Sequence, residues 1–239
     1  MRLFLFNIIF LGVQSLNIET SRRLFTSNIA HIPLFLNKDT GFKKDITTIQ
    51  LKEKLLDTMQ SRNYVQMNKN NIFFYTPVSQ VSCFELTKLL LDIDSNSNLF
   101  RNEFNQDPPP INLHIQSEGG SVLHALYVVD VIKGLSTPVN TYIDGFAASA
   151  ATLISLAGKK RYMTKNSLML IHQLSSSSSG KYNEIEDEME NLDNIMNIVI
   201  NLYLNNTNID EFKLKELLKK DIWLDSKTCL NYGLVDKII

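Results

Sequence analysis

From Asn71 onward, short runs of β-branched and aromatic residues alternate with stretches whose apolar residues recur at helical spacing. That alternation restricts the chain to an α/β arrangement. Ile72-Phe73-Phe74-Tyr75 predicts a strand stopped by Pro77, and Phe84, Leu86, Leu89, Leu90 and Leu91 predict a helix. Asp107-Pro108-Pro109-Pro110 closes a loop, because three prolines fit inside neither element. Residues 111–116 read as a strand, Gly119-Gly120 as a turn, and 121–135 as a helix. Residues 139–143 form the next strand, and Gly145 leads into a small-residue helix over 147–156. Two short strands follow near 161–164 and 167–171, then a serine run at 175–179. A long helix (182–204), a shorter one (210–219), a last helix (226–232) and a strand (235–238) complete the pattern. Strands and helices of these lengths imply βαβ units and a largely parallel sheet.

The 239 residues carry a net charge of −1, which disfavours a nucleic-acid binder relying on bulk positive charge. Two cysteines, Cys83 and Cys229, exclude a disulfide scaffold or a cysteine-rich zinc module. Charge is unevenly spread. Residues 1–47 hold Arg2, Arg22, Arg23, Lys38, Lys43 and Lys44 against Glu19, Asp39 and Asp45, so the remainder is acidic. A basic start followed by the apolar run Leu3–Val13 (LFLFNIIFLGV) is too short to span a bilayer and suits a secretory signal. Ser21-Arg22-Arg23-Leu24-Phe25-Thr26-Ser27 then continues basic and hydroxyl-bearing. Residues 1–20 are therefore expected to be signal-peptide-like, and 21–70 a transit peptide and N-terminal segment with one helix around 49–59. No later stretch has the length and apolarity of a membrane helix, so the mature form is expected to lie off the membrane.

Chemistry concentrates at four places. In Gly145-Phe146-Ala147-Ala148-Ser149-Ala150, a glycine turn and small residues place Ser149 at a helix start, where unpaired N–H groups favour developing negative charge. Ser149 is either a nucleophile there or simply a cap. Of four histidines, His31 lies in the leader, His114 inside a strand and His124 on the outer side of a helix. His172 ends a strand and opens a loop, where a rigid scaffold can hold a base. A carboxylate orienting that imidazole is either Asp221 or Asp225. Asp225 sits where the last helix needs an N-cap, whereas Asp221 has no such local role beyond that of a solvated turn residue. Ser117-Glu118-Gly119-Gly120-Ser121 lets backbone approach a substrate closely. The N–H groups of Gly120 and Ala150 together would make an oxyanion hole.

These blocks resemble the Clp protease proteolytic subunit family, the ClpP serine peptidases. Residues 111–121 (INLHIQSEGGS) look like its strand and Ser-Pro-Gly-Gly turn, and Gly145-Phe146-Ala147-Ala148-Ser149 like its Gly-Met-Ala-Ala-Ser nucleophile box. Leu170-Ile171-His172-Gln173 matches its Met-Ile-His-Gln block. Asp221-Ile222-Trp223-Leu224 and residues 231–238 match its final segment. The order Ser149, His172, Asp221 is the family's. The resemblance implies a ClpP/crotonase-like spiral of ββα units with a protruding handle helix at 182–204, in a peptidase domain over 71–239. It implies catalytic Ser149, His172 and Asp221, an oxyanion hole at Gly120 and Ala150, and substrate binding by Val122, Gln173, Leu174 and Ser175. It also implies homo- or hetero-heptameric rings stacked into a tetradecamer, with unfolded polypeptide as substrate. A Clp/Hsp100 AAA+ ATPase would feed the chamber, so this chain would need no cofactor or metal and ATP would be used by the partner.

Three places after Asn71 depart from the family pattern. Glu118 stands where proline is usual, and an inward carboxylate would oppose the oxyanion, so that Glu118→Pro would raise turnover. Leu174 and five serines replace a Pro-Leu and glycine-rich loop. Ala150 replaces the methionine after the nucleophile, removing bulk but keeping the N–H. A noncatalytic ring subunit and a crotonase-type acyl-CoA enzyme are the alternative readings. The leader, together with an asparagine content of about a tenth of the chain, points to an apicoplast-type plastid reached through the secretory route. A mitochondrion is the alternative.

Overall fold

The computed structural model describes residues 65–239. The two leader segments and the helix expected around 49–59 lie outside the described residues. Among the described residues eight strands form one sheet: β1 (Val65–Asn68), β2 (Asn71–Phe74), β3 (Ile111–Ser117), β4 (Val139–Ala148), β5 (Lys160–Met163), β6 (Leu168–Leu170), β7 (Trp223–Asp225) and β8 (Lys237–Ile238). They run in the order β1-β2-β3-β4-β5-β8, with β6 pairing β4 and β7 outside that path. The β2-β3-β4-β5-β8 and β4-β6 pairings are parallel; β1-β2 and β6-β7 are antiparallel. This is the α/β fold expected from the alternation of strand and helix patterns.

Strand alternation decides which sheet face is covered. Ile72 and Phe74 of β2, and Ile111, Leu113 and Ile115 of β3, are fully buried on one face. On the other face the register partners Phe73, His114, Tyr142 and Tyr162 stack ring on ring across four strands, with centroids 4.9, 4.7 and 4.7 Å apart. His114 Nδ1 lies 2.8 Å from Asp144 Oδ2, which also accepts from Tyr75 Oη at 2.6 Å. His114 thus belongs to the sheet's aromatic row.

Six helices accompany the sheet among the described residues: α1 (Gln80–Phe104), α2 (Val122–Gly134), α3 (Ala150–Leu156), α4 (Tyr182–Asn206), α5 (Glu211–Leu218) and α6 (Ser226–Asn231). Ser79 starts α1 through a reciprocal capping box with Ser82. Asp210 and Asp225 cap α5 and α6 by accepting the N–H groups of Lys213 and Thr228. Every residue of α3 is buried, which is why that segment must be made of small and apolar residues. In α4 only Val199 and Tyr203 are buried, so its N-terminal turns project beyond the core as a handle would.

The structure differs from the sequence reading at β4. Gly145 does not end the strand; β4 continues to Ala148, and α3 begins at Ala150. Between the pairs Ile115↔Ile143 and Ser117↔Ala147, β4 advances two residues more than β3, so Asp144-Gly145-Phe146 forms a bulge. The bulge re-aims the strand: 140–143 pair with β5, while 146–148 pair with β6. Two strands carried no recognisable pattern. β1 is too polar, and β7 is three residues at the sheet edge.

Candidate active site

The handover from β4 to α3 puts Ser149 at the N-cap with φ 54° and ψ −128°. For a residue bearing a Cβ this conformation costs on the order of 1–3 kcal/mol, so surrounding structure must impose it. Three constraints do so. The Ser149 N–H donates to Leu170 O at 2.8 Å, and the Ser149 carbonyl accepts the Thr152 N–H at 3.0 Å and the Thr152 hydroxyl at 2.6 Å. Gly119 packs against the turn so closely that an added Cβ would sit 2.7 Å from Ser149 Cβ and 2.6 Å from Ala148 O. The Ser149 hydroxyl makes no capping bond and no other hydrogen bond among the described residues. The cap role is therefore not the one it plays.

His172 follows β6 and is held on both sides by backbone. Leu170 O receives the Ser149 N–H, and the Gln173 N–H donates to Leu218 O at 2.8 Å. The first of these bonds links the histidine strand directly to the Ser149 turn. His172 Nδ1 lies 3.6 Å from Asp221 Oδ1, an ion-pair separation longer than a hydrogen bond. The His172 side chain is 27% exposed and that of Asp221 83% exposed. Asp225, the other late carboxylate, caps α6, and its donors from Thr228 hold its carboxyl below the usual range.

The strand-to-helix loop after β3 forms the opposite wall. Gly119 O accepts the Val78 N–H at 2.8 Å and Val78 O accepts the Ser121 N–H at 2.9 Å, so Gly120 is bridged between two anchors. A Cβ on Gly120 would lie 2.2 Å from Val78 O, which only glycine avoids. Neither the Gly120 nor the Ala150 N–H donates to a backbone carbonyl among the described residues. Glu118 is exposed and does not border the cleft.

Ser149, His172, Gly120 and Ala150 border one cleft of about 390 Å³, and Val122, Gln173, Leu174 and Ser175 border it too. Its apolar wall comes from Leu153 of α3 and Leu192, Ile195 and Val199 of α4. Asp221 is not part of the lining; it stands behind His172. His124 is not free on its helix, since its Nδ1 lies 2.7 Å from Ser121 Oγ. Burial pushes the Cys83 and Cys229 thiols up to about 11 and about 12, which leaves neither as a thiolate nucleophile at neutral pH. Among the described residues no group of three or more His, Cys, Asp or Glu is placed to hold a metal ion. No helix among them is long and apolar enough to cross a membrane.

A family model described as Clp protease matches residues 55–239, which spans every element named above. The chain belongs to the Clp protease family. It is 35% identical over 132 residues to ATP-dependent Clp protease proteolytic subunit 2 of Treponema pallidum, covering 54% of this chain and 66% of that one. The chain thus spans just under two thirds of that relative. With ATP-dependent Clp protease proteolytic subunit 1 of Protochlamydia amoebophila it shares 26% over 209 residues, 85% of this chain and 96% of the other. The solved structure of a ClpP1 point mutant from Listeria monocytogenes superposes with a TM-score of 0.62 at 27% identity, covering 79% of this chain and 95% of that chain. Its fold is the ClpP fold that the sequence blocks implied.

Two residues at the site of this Clp protease family member escaped the sequence reading. Thr152, wholly buried, binds the Ser149 carbonyl, and its hydroxyl also meets that of Tyr203 from α4. The only signal for Thr152 was a hydroxyl among small apolar residues three positions after Ser149. Tyr203 is 51 residues away in sequence, and no local pattern connects the two.

Proposed function

We propose that this chain is a serine-type endopeptidase, the proteolytic subunit of an ATP-dependent Clp protease. The observation that carries the reading is the unbonded Ser149 hydroxyl, held at positive φ in the same cleft as His172 and two backbone N–H groups without carbonyl partners. Ser149 Oγ attacks the scissile carbonyl while His172 takes its proton. Because Nδ1 faces Asp221, Nε2 is the ring nitrogen for that transfer. The Gly120 and Ala150 N–H groups receive the oxyanion. His172 then returns the proton to the leaving amine, and water repeats the sequence on the acyl-enzyme.

The substrates would be unfolded polypeptides delivered into a chamber of stacked heptameric rings, homomeric or mixed, by a Clp/Hsp100 ATPase that hydrolyses the ATP. The projecting turns of α4 suit an inter-ring handle. The N-terminal segment would address the protein to an apicoplast-type plastid, with the mitochondrion as alternative; a fusion of residues 1–70 to a fluorescent protein tests this by where it accumulates. One observation favours a noncatalytic ring subunit instead: the 3.6 Å gap between His172 and an exposed Asp221. A fluorophosphonate probe separates the two. Labelling of assembled protein at Ser149 supports the peptidase, and absence of labelling with the fold intact supports the noncatalytic subunit.

A further inference from the structure

The Ser149–Ala150 peptide is one planar unit, so whatever orients its carbonyl also orients its N–H on the opposite side. The Ala150 N–H is one of the two oxyanion donors in the reading above, on which this inference rests. The carbonyl of the unit accepts the Thr152 hydroxyl at 2.6 Å and the Thr152 N–H at 3.0 Å. A carbonyl can only accept, so the Thr152 hydroxyl proton is committed to it. The hydroxyl of Tyr203, in contact with Thr152 Oγ1, must then be the donor in that pair. Thr152 is wholly buried, and Tyr203, which borders the cleft, is 2% exposed, so both hydroxyls are largely shielded from bulk water. Burial also raises the Tyr203 phenol well above its ordinary value, which keeps its proton in place.

We infer that Tyr203 and Thr152 are positioning residues for the oxyanion hole. They form a one-directional chain from the Tyr203 O–H to Thr152 Oγ1, through the Thr152 O–H to the Ser149 carbonyl, and across the peptide to the Ala150 N–H. Each donor polarises the next, so the peptide N–H that meets the oxyanion is both fixed in direction and strengthened. The chain starts at Tyr203, near the buried C-terminal end of α4, and leads to the peptide beside Ser149. A shift of α4 that separates Tyr203 from Thr152 would therefore weaken catalysis without touching Ser149 or His172.

The test uses the assembled protein, with rates expressed per fluorophosphonate-titrated site so that misfolded chains do not count. Tyr203→Phe keeps the ring and removes the donor; Thr152→Val keeps the shape and removes the hydroxyl; Thr152→Ser restores it. The expected result is a fall in kcat of roughly 5- to 20-fold for Phe and more for Val, with KM within about twofold and Ser within about threefold of the parent. These are fractions of the roughly 10²–10³ lost when an oxyanion donor is removed outright. A peptide boronate, whose oxyanion occupies the hole, should lose affinity in parallel with kcat. The double variant should be no slower than Thr152→Val alone, because without the threonine hydroxyl the tyrosine donates to nothing. Unchanged kcat in both single variants, a loss confined to KM, additive losses, or a serine variant as slow as valine would each overturn the chain. A parent protein that neither labels nor cleaves would instead sink the peptidase reading beneath it.

Discussion

The two halves of the candidate site are built differently. Ser149 stands on backbone that is over-determined: strand pairing on one side, a wholly buried helix on the other, and a glycine without room for one more carbon. His172 and Asp221 stand on a loop and a turn, with the histidine pinned by backbone bonds at Leu170 and Gln173 and the aspartate exposed. A nucleophile in a strained conformation needs a rigid frame, because relaxation would swing its hydroxyl away. An orienting carboxylate acts through space and tolerates solvent, but at 3.6 Å and 83% exposure it contributes less than a buried one. The nucleophile half should therefore be sensitive to small steric changes, and the acid half tolerant of chemical ones.

Removing the proposed nucleophile makes the largest break. Ser149→Ala should lower peptide turnover by at least about 10⁴-fold and abolish fluorophosphonate labelling while leaving the fold intact. Turnover that survives in the purified variant would place the chemistry elsewhere.

The steric claim comes next. Gly119→Ala adds one carbon at φ +92°, 2.6 Å from Ala148 O and 2.7 Å from Ser149 Cβ. Something must shift, and the neighbour is the nucleophile turn itself. We expect a loss of about 2–4 kcal/mol in stability and roughly 100-fold in kcat. Thermal unfolding and initial rates measure both. A variant that unfolds and cleaves like the parent would show that the nucleophile half is more plastic than its contacts imply.

The acid half is probed by Asp221→Asn. A buried orienting aspartate is worth roughly 10⁴ in kcat in the serine protease template. With the exposed, 3.6 Å pair seen here, the loss should be only about 10- to 100-fold, and raised ionic strength should slow the parent more than the variant. A full 10⁴-fold loss would mean that the pair tightens in the working assembly and that the two halves are equally rigid there.

This contrast also explains how far the sequence by itself reveals the site. Ser149, His172 and Asp221 are legible through four blocks in the family's order; taken singly, each also has an ordinary structural role open to it. Asp225 could be told from Asp221 because an N-cap is a local feature, visible three residues ahead of Thr228. The parallel core is legible in the alternation of strand and helix patterns from Asn71 onward. The course of β4 past Gly145 is not, because glycine reads as a stop while here it sits in a bulge that redirects pairing from β5 to β6. Nor is the positive φ of Ser149, since nothing in Ala-Ala-Ser-Ala distinguishes a helical first turn from a strained corner; the bonds to Leu170 and Thr152 and the contact with Gly119 do. Tyr203 is the extreme case, its partner lying 51 residues away on another helix.

The smallest effect concerns Glu118, the residue expected to trouble the oxyanion if it pointed inward. Its side chain is exposed and does not border the cleft that holds Ser149 and Ala150. At about one Debye length in water, two unit charges interact by roughly 0.4 kcal/mol, which is about twofold in rate. Glu118→Gln removes the charge and keeps the shape, so kcat should rise by no more than about twofold, and that rise should vanish at high salt. Glu118→Pro is a poorer probe, because it also stiffens the backbone beside Gly119. A rise of tenfold or more in the glutamine variant would place the carboxylate within reach of the oxyanion during turnover, and the glycine wall would then have to move to bring it there.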